Sequence, residues 1–277
     1  MKTTCNNFDT YKMTFIQLNV ILFFLLIFFS TYSSAENKDI EILYFGTKED
    51  TAFIGVGQGL EDGSNIHPGV SFRIKIEAEN YRPYNDPKPK AIFVAAGSES
   101  IRLISSLNPD IPIFNLIDDT VMIRELCLKN VFHIIPDNAM RFDAEQQWQA
   151  KYQEATVEVV AWHPDFNIGN ASKLNQKFLE KRNVTLTEQG WSGWAAAKIF
   201  VESMVAVSKK KEMDLITYLK RNVHFDVNKG VPVSFRADGQ LRQTLLIIED
   251  SVLKSEVPAK DLLDKEDLDK LGELRCS

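Results

Sequence analysis

Alternating apolar and polar positions divide most of the chain into short strands and helices. One strand is predicted over residues 40–45, and a second over residues 69–77, where every second residue from Val70 to Ile76 is apolar. Further strands are predicted over 91–95, 111–116, 131–134 and 157–162, and helices over 98–107, 120–129, 139–152, 169–181, 188–207 and 214–221. Strands that alternate with helices in this way favour right-handed crossovers and a parallel sheet, so the predicted fold class is α/β.

Residues 230–250 break this alternation with a pattern typical of a β-hairpin. Val231, Val233 and Phe235 alternate with less apolar residues, and an Ala-Asp-Gly sequence at residues 237–239 can reverse the chain. The apolar run over 245–248 then predicts a returning strand. We therefore expect a C-terminal hairpin that follows the last long helices.

The first 35 residues have the pattern of a secretory signal. Lys2 and Lys12 precede an apolar run over residues 20–29, and small residues at 33–35 predict cleavage before Glu36. The run is short for a membrane span, although a retained anchor is the alternative. The formal net charge of the whole sequence is −6, and an acidic chain is a poor partner for nucleic-acid phosphates.

Two cysteines remain after the predicted cleavage removes Cys5. In an oxidising compartment, Cys127 and Cys276 could form one disulfide, and two unpaired thiols are the alternative. None of the four histidines is spaced with a cysteine or with another histidine as in a zinc motif. The sequence therefore predicts neither a metal site nor a cofactor.

Candidate ligand-binding residues follow two of the predicted strands. The segment 96–100 leads from a strand into a helix, at the position where open α/β sheets bind ligands. Asp118 and Asp119 follow the next strand and could bind a cation or an amine, or could favour a helix N-terminus. Trp191, on the apolar stripe of a long helix, could line a ligand cleft or pack in the core.

Motifs for catalysis are not evident. Gly55, Gly57 and Gly59 resemble a dinucleotide-binding loop, but their spacing departs from that motif and favours a turn or a glycine-rich helix start. Neither a nucleophile elbow nor a zinc-protease motif occurs in the sequence. We expect a protein that is not an enzyme.

Several segments carry a family resemblance. AIFVAAGSES, IPIFNLIDDT and NVFHIIPDNAM, within residues 91–140, resemble the first lobe of type 1 periplasmic solute-binding proteins of the branched-chain amino-acid class. WHPDFNIGNASKLNQKF, GWSGWAAAKIFVE, GVPVSFRADGQLRQTLLI and the final Leu-Arg-Cys are similar to the ABC-transporter substrate-binding-like proteins of systems for alcohol dehydrogenases that depend on pyrroloquinoline quinone (PQQ). These segments are spread along the chain, so the resemblance extends over most of residues 91–277.

The resemblance implies a type 1 periplasmic-binding-protein-like fold in which two lobes close on a small polar solute. In that family the loop after the third strand supplies hydroxyls and amides to the ligand, which implies Ser98 and Ser100 here. At the next strand-end loop, the resemblance implies Asp118 and Asp119 as ligand-binding residues. The family has small or hydroxyl residues there, whereas this chain has two acids. The chain also passes almost directly from the helix over 139–152 to the next strand, which implies a shortened second lobe.

These observations together predict the domains and the function. We expect a signal over 1–35, a first α/β lobe over 36–138, a reduced second lobe over 139–250 with helices that return to the first, and a tail over 251–277. The expected role is a periplasmic solute-binding protein that delivers its ligand to an ABC permease. The alternative is an accessory protein that contacts a periplasmic PQQ-dependent quinoprotein dehydrogenase.

Overall fold

The computed structural model describes residues 39–78, 81, 87–152, 156–210, 213–221, 223–258 and 268–276. The predicted secretory signal lies outside the described residues. Residues 80 and 82–86 of the proline-rich segment before the third strand also lie outside them.

A parallel sheet of five strands forms the centre of the first lobe. The strands are β1 Ile40–Phe45, β2 Phe72–Glu77, β3 Ile92–Val94, β4 Ile113–Asn115 and β5 Val131–His133. Their order is β2-β1-β3-β4-β5, and every neighbouring pair is parallel, as predicted. The three central strands β1, β3 and β4 are almost entirely buried, because helices cover both faces of such a sheet.

Seven described helices accompany the strands. They are α1 Thr51–Ile66, α2 Ser98–Leu107, α3 Val121–Glu125, α4 Asn138–Gln149, α5 Ala171–Arg182, α6 Glu188–Ser208 and α7 Leu215–Lys220. Side chains cap three of them, since Asp137, Thr187 and Asp214 each accept a backbone N–H from the first turn. The glycine-rich segment after β1 therefore lies inside a helix and forms no dinucleotide loop.

Helices α1 and α6 pack with their backbones in contact. A Cβ on Gly55 would lie 2.0 Å from the carbonyl oxygen of Gly190, and a Cβ on Gly193 would lie 2.1 Å from the carbonyl oxygen of Ala52. These distances are far below a normal van der Waals contact, so only glycine permits this helix separation. Packing against α6 thus explains Gly55, Gly59 and Gly63 of α1, whereas nothing lies within 4 Å of a Cβ added at Gly57.

A smaller antiparallel sheet forms the second lobe. Its strands are β6 Glu158–Val160, β9 Leu245–Glu249 and β10 Val252–Val257, in the order β10-β9-β6. Helix α4 packs against all three strands. The second lobe is therefore reduced, as predicted, to three described strands and the helices beside them.

The predicted hairpin is present, but its second strand is not the expected one. Strand β7 Ser234–Phe235 pairs with β8 Leu241–Arg242, whereas β9 belongs to the sheet of the second lobe. The turn at Gly239, with φ +83°, is tight enough to bring β8 directly beside β7. The N–H of His133 donates to the carbonyl oxygen of Gly239 at 2.8 Å, which attaches the hairpin to the edge strand β5.

Helix α3 is shorter than predicted. The pattern favoured a helix over residues 120–129, but the helix ends at Glu125. Cys127 has φ +51°, a left-handed conformation that an α-helix does not continue through. The helix thus ends where the chain turns to present Cys127.

Candidate functional site

The carboxyl ends of β3, β4 and β5 meet at one edge of the parallel sheet. Ser98 begins α2 after β3, Asp118 follows β4, and Asp137 follows β5 and caps α4. Parallel strands place their following loops side by side, so three loops with polar residues converge here. We define the residues of these loops as the candidate site.

Ser98, Asp118 and Thr120 form one hydrogen-bonded cluster in the candidate site. Ser98 Oγ donates to Asp118 Oδ2 at 2.7 Å, and Thr120 Oγ1 donates to Asp118 Oδ1 at 2.6 Å. The Thr120 N–H donates to the same carboxylate at 2.9 Å, and the two hydroxyl oxygens lie 2.8 Å apart. The two loops predicted from sequence are therefore brought together.

The environment of Asp118 favours its charged form. Burial raises the pKa of its carboxyl, but hydrogen bonds from Thr120 and Ser98 and the positive charge of Arg124 outweigh burial and lower the pKa below its usual value. The Arg124 guanidinium lies 3.7 Å from Asp118 Oδ1. Asp118 is thus an anion with its charge already compensated inside the protein.

Arg124 connects the candidate site to the hairpin, and no sequence pattern predicted this role. Its side chain is fully buried, and its Nη1 donates to the carbonyl oxygens of Asp118 at 2.7 Å and Thr120 at 2.9 Å. Its Nε donates to Gln240 Oε1 at 2.9 Å. Burial lowers its pKa to about 10, so the guanidinium remains charged at neutral pH and fixes the loop after β4.

Asp119 and Ser100 are less enclosed than Ser98 and Asp118. The carbonyl oxygen of Asp119 accepts the Asn138 N–H at 2.9 Å, and its half-buried carboxylate accepts one long hydrogen bond, of 3.5 Å, from Asn138 Nδ2. Ser100 lies in the first turn of α2, half-buried, and its side chain makes no hydrogen bond to another described residue. The Ser100 hydroxyl and the weakly bonded Asp119 carboxylate are therefore two groups of the candidate site that a ligand could contact.

Trp191 lies in the core and does not face a cleft. Its side chain is fully buried, its indole N–H donates to the carbonyl oxygen of Val227 at 3.1 Å, and its ring stacks on Trp162 with 5.7 Å between centroids. Its helical spacing allowed either a ligand cleft or the core, and the structure shows it in the core. The Trp191 side chain exposes no surface that a ligand could contact directly.

A buried lysine lies against this tryptophan pair, and sequence reasoning missed it. Lys229 is fully buried, its Nζ donates to the carbonyl oxygen of Ala161, and it lies 5.0 Å from the centroid of the Trp191 ring. Burial lowers its pKa to about 7, although the charges of Glu256 and Glu188 act in the opposite direction. A lysine in a polar stretch of sequence looks like a surface residue, so only the tertiary contacts identify it.

Cys127 and Cys276 form a disulfide, which was one of the two alternatives left open by the sequence. Their Cα atoms are 5.7 Å apart, and 149 positions of sequence separate them. The neighbouring Arg275 pairs with Asp137 at 3.0 Å, so the tail also contacts the cap of α4. The bond and the ion pair hold the tail beside the candidate site.

The described residues give no indication of a metal site or a membrane span. Nowhere among them do three or more His, Cys, Asp or Glu residues gather in a way that could hold a metal ion. Within the same ranges, no helix combines the length and the apolar character needed to cross a bilayer.

Comparison with known proteins identifies the fold. No family model matches the sequence, and no curated protein matches it. Solved structures do match. A leucine-, isoleucine-, valine-, threonine- and alanine-binding protein from Brucella ovis, in a closed conformation, has a TM-score of 0.65 and 10% identity over 87% of this chain and 99% of that chain.

Two further structures agree with this result. A periplasmic binding protein from Burkholderia mallei has a TM-score of 0.64 and 6% identity, over 83% of this chain and 97% of that chain. The solute-binding protein of an ABC transporter from R. palustris, in complex with benzoate, has a TM-score of 0.62 and 11% identity, over 82% and 98%. At these identities the likeness shows the type 1 periplasmic-binding-protein fold and leaves the ligand open.

Proposed function

We propose that this chain is a periplasmic solute-binding protein of an ABC-type import system, and that it binds a small polar solute at the candidate site. The observation that carries the proposal is the position of Ser98, Asp118 and Thr120 in adjacent strand-end loops of a type 1 periplasmic-binding-protein fold. The role is one of binding and delivery to a permease, without catalysis.

The chemistry of the candidate site indicates how a solute would be held. Ser98 and Ser100 lie at the N-terminus of α2, where hydroxyls and backbone N–H groups attract the negative end of a ligand. Asp119 supplies a carboxylate for a positive end. A zwitterion such as an amino acid satisfies both groups, and amino acids are therefore the first ligands to test.

Thermal unfolding of the mature protein tests this proposal. We expect one class among amino acids, organic acids, small alcohols and aldehydes to raise the melting temperature progressively with concentration, because a ligand of the native state stabilises it by about 2.7 kcal/mol at 100 times its Kd. Ser100→Ala should weaken the response, whereas Ser106→Ala, an exposed serine of the same helix, should not. Equal responses in both variants would contradict the assignment of the site.

One observation favours a second candidate function. The Asp118 carboxylate is already saturated by Ser98, Thr120 and Arg124, which is the arrangement of a structural cluster rather than an open ligand site. A non-transport accessory role beside a periplasmic PQQ-dependent alcohol dehydrogenase requires no ligand at this position. In that case no solute, including the quinone cofactor, should shift the melting temperature, and a pull-down from periplasm should retrieve the dehydrogenase.

A further inference from the structure

A groove of about 430 Å³ lies among α1, α5 and α6, and none of its residues belongs to the candidate site. This volume is within the range of small-molecule sites in proteins. Lysine side chains line one part of the groove, and apolar side chains line the rest. Together these two surfaces define what the groove could bind.

The cations come mainly from one face of α5. Lys173, Lys177 and Lys181 are spaced four residues apart, so they follow one side of the helix, and all three line the groove. Lys198 of α6 adds a fourth cation, and Asp62 is the carboxylate that lines the same groove. The groove is therefore positive on a protein whose formal net charge is −6.

Ion pairs compensate most but not all of these cations. Lys177 Nζ lies 3.0 Å from both carboxylate oxygens of Asp62, and Lys181 Nζ lies 2.7 Å from Glu61. Lys198 pairs with Glu202. Lys173 is exposed and has no ion-pair partner among the described residues. An anion that enters the groove therefore meets one uncompensated ammonium group.

The rest of the groove is apolar. Leu174 and Trp194 form its buried part, and the Trp194 indole N–H is already bonded to Asp62 at 3.0 Å. Ile66, at the end of α1, lines the rim with 61% of its surface exposed. The lysine stems extend this apolar surface below their charged ends. An apolar body in the groove would cover Ile66 and remove its exposed surface from water.

We propose that this groove binds an amphiphilic anion, a small molecule with a carboxylate head and an apolar body. The head lies at Lys173, with Lys198 and the remaining lysines supporting it electrostatically, and the body lies against Leu174, Trp194 and Ile66. Neither surface alone specifies the ligand. A purely inorganic anion would leave the apolar surface of the groove in contact with water, and a neutral hydrocarbon would leave Lys173 unpaired.

Titration calorimetry on the mature protein tests the proposal with three probes, which are sodium decanoate, decan-1-ol and sodium acetate. We expect saturable binding of decanoate, and binding at least about tenfold weaker for decanol and for acetate, because each lacks one of the two required parts. Lys173→Met should weaken decanoate binding by about tenfold. Lys129→Met, an exposed lysine outside the groove, is the matched control and should bind as the unaltered protein does.

Three results would overturn the proposal. They are decanol binding as tightly as decanoate, equal affinities of the Lys173 and Lys129 variants, and loss of decanoate binding in Ser100→Ala, which would place the ligand at the candidate site instead. Circular dichroism confirms that each variant is folded. Ser100→Ala also separates this proposal from the solute-binding proposal, because the two sites share no residue.

Discussion

The five-stranded sheet and the three-stranded sheet are flanked by contrasting contacts. Helices α1 and α6, which lie beside the parallel sheet of the first lobe, meet backbone to backbone at Gly55 and Gly193. The antiparallel sheet of the second lobe has charged groups beside it, with Lys229 fully buried against Trp191 and Arg141 paired to Glu188 at 3.0 Å. The contact between α1 and α6 depends on shape, whereas the contacts around Lys229 and Arg141 depend on charge.

This difference determines which changes of sequence and of pH each contact tolerates. A contact between helix backbones at glycine positions does not depend on pH, but it leaves no room for an added carbon atom. Buried charges permit substitution by apolar groups of similar size, but they connect stability to proton binding. Four changes test this contrast, in order of decreasing expected effect.

Gly55→Ala should cause the largest loss of stability. Its Cβ would lie 2.0 Å from the Gly190 carbonyl oxygen and 2.9 Å from the Trp194 nitrogen, so the helices must separate. We expect the free energy of unfolding to fall by about 3–5 kcal/mol, measured by urea denaturation. Gly57→Ala is the control, because nothing lies within 4 Å of its added Cβ, and it should be neutral or stabilise the helix by about 0.5–1 kcal/mol. A similar loss in both variants would contradict the packing argument.

Removal of the disulfide should have the next largest effect. The double variant Cys127→Ser with Cys276→Ser releases a closed loop of 149 positions from the unfolded chain, and constraints of this kind contribute about 2–4 kcal/mol. We expect a lower urea midpoint for this variant, and the same midpoint for the unaltered protein under reducing conditions. Unequal midpoints would show that the serines act by more than removing the bond.

Lys229→Met should change how stability depends on pH. Burial lowers the lysine pKa from 10.5 to about 7, so between these values the unfolded chain binds more protons than the native protein. The free energy of unfolding of the unaltered protein should therefore rise with pH across this window, by up to about 1.4 kcal/mol per pH unit. This added stability should be lost as the pH falls toward 7. Lys229→Met should flatten the profile, measured by urea denaturation from pH 7 to 10, whereas the exposed Lys209→Met should retain it.

Asp118→Asn should have the smallest effect of the four. The amide keeps one acceptor oxygen but places an NH₂ where Ser98 or Thr120 now donates, and it removes the charge that faces Arg124. We expect a loss of about 1–2 kcal/mol at neutral pH. Hydrogen bonds lower the Asp118 pKa, so the carboxylate stabilises the native state above its unfolded pKa and this benefit fades in acid. The loss should accordingly shrink as the pH is lowered toward 3.

The sequence predicted local elements better than their long-range partners. Strand β1 and helix α2 match their predicted ranges residue for residue, because β1 is a short apolar run that is mostly buried and α2 buries Ile101 and Ile104 on one side. The helical character of residues 51–66 was left open, since glycine has low helix propensity and the contact with α6 that selects it is not local. The short run of β9 could equally complete a hairpin or another sheet, and its partner depends on where the chain goes.

The candidate site was predictable in position but not in its internal contacts. Ser98 and Asp118 were expected at strand ends, and the structure brings them into one cluster. Arg124 and Lys229 were not expected, because a charged residue carries no sign in the sequence that it will be buried. Their partners are backbone carbonyls and aromatic rings from other elements, which only the folded chain brings together.

The disulfide between Cys127 and Cys276 limits what a single proteolytic cut can separate. A single backbone cut anywhere between Cys127 and Cys276 divides the chain into two pieces, but the bond keeps them covalently joined. Such a nicked molecule would run as one species on a denaturing gel and as two after reduction. Because most of the second lobe lies between the two cysteines, its loops can be cut once without either fragment diffusing away from the other.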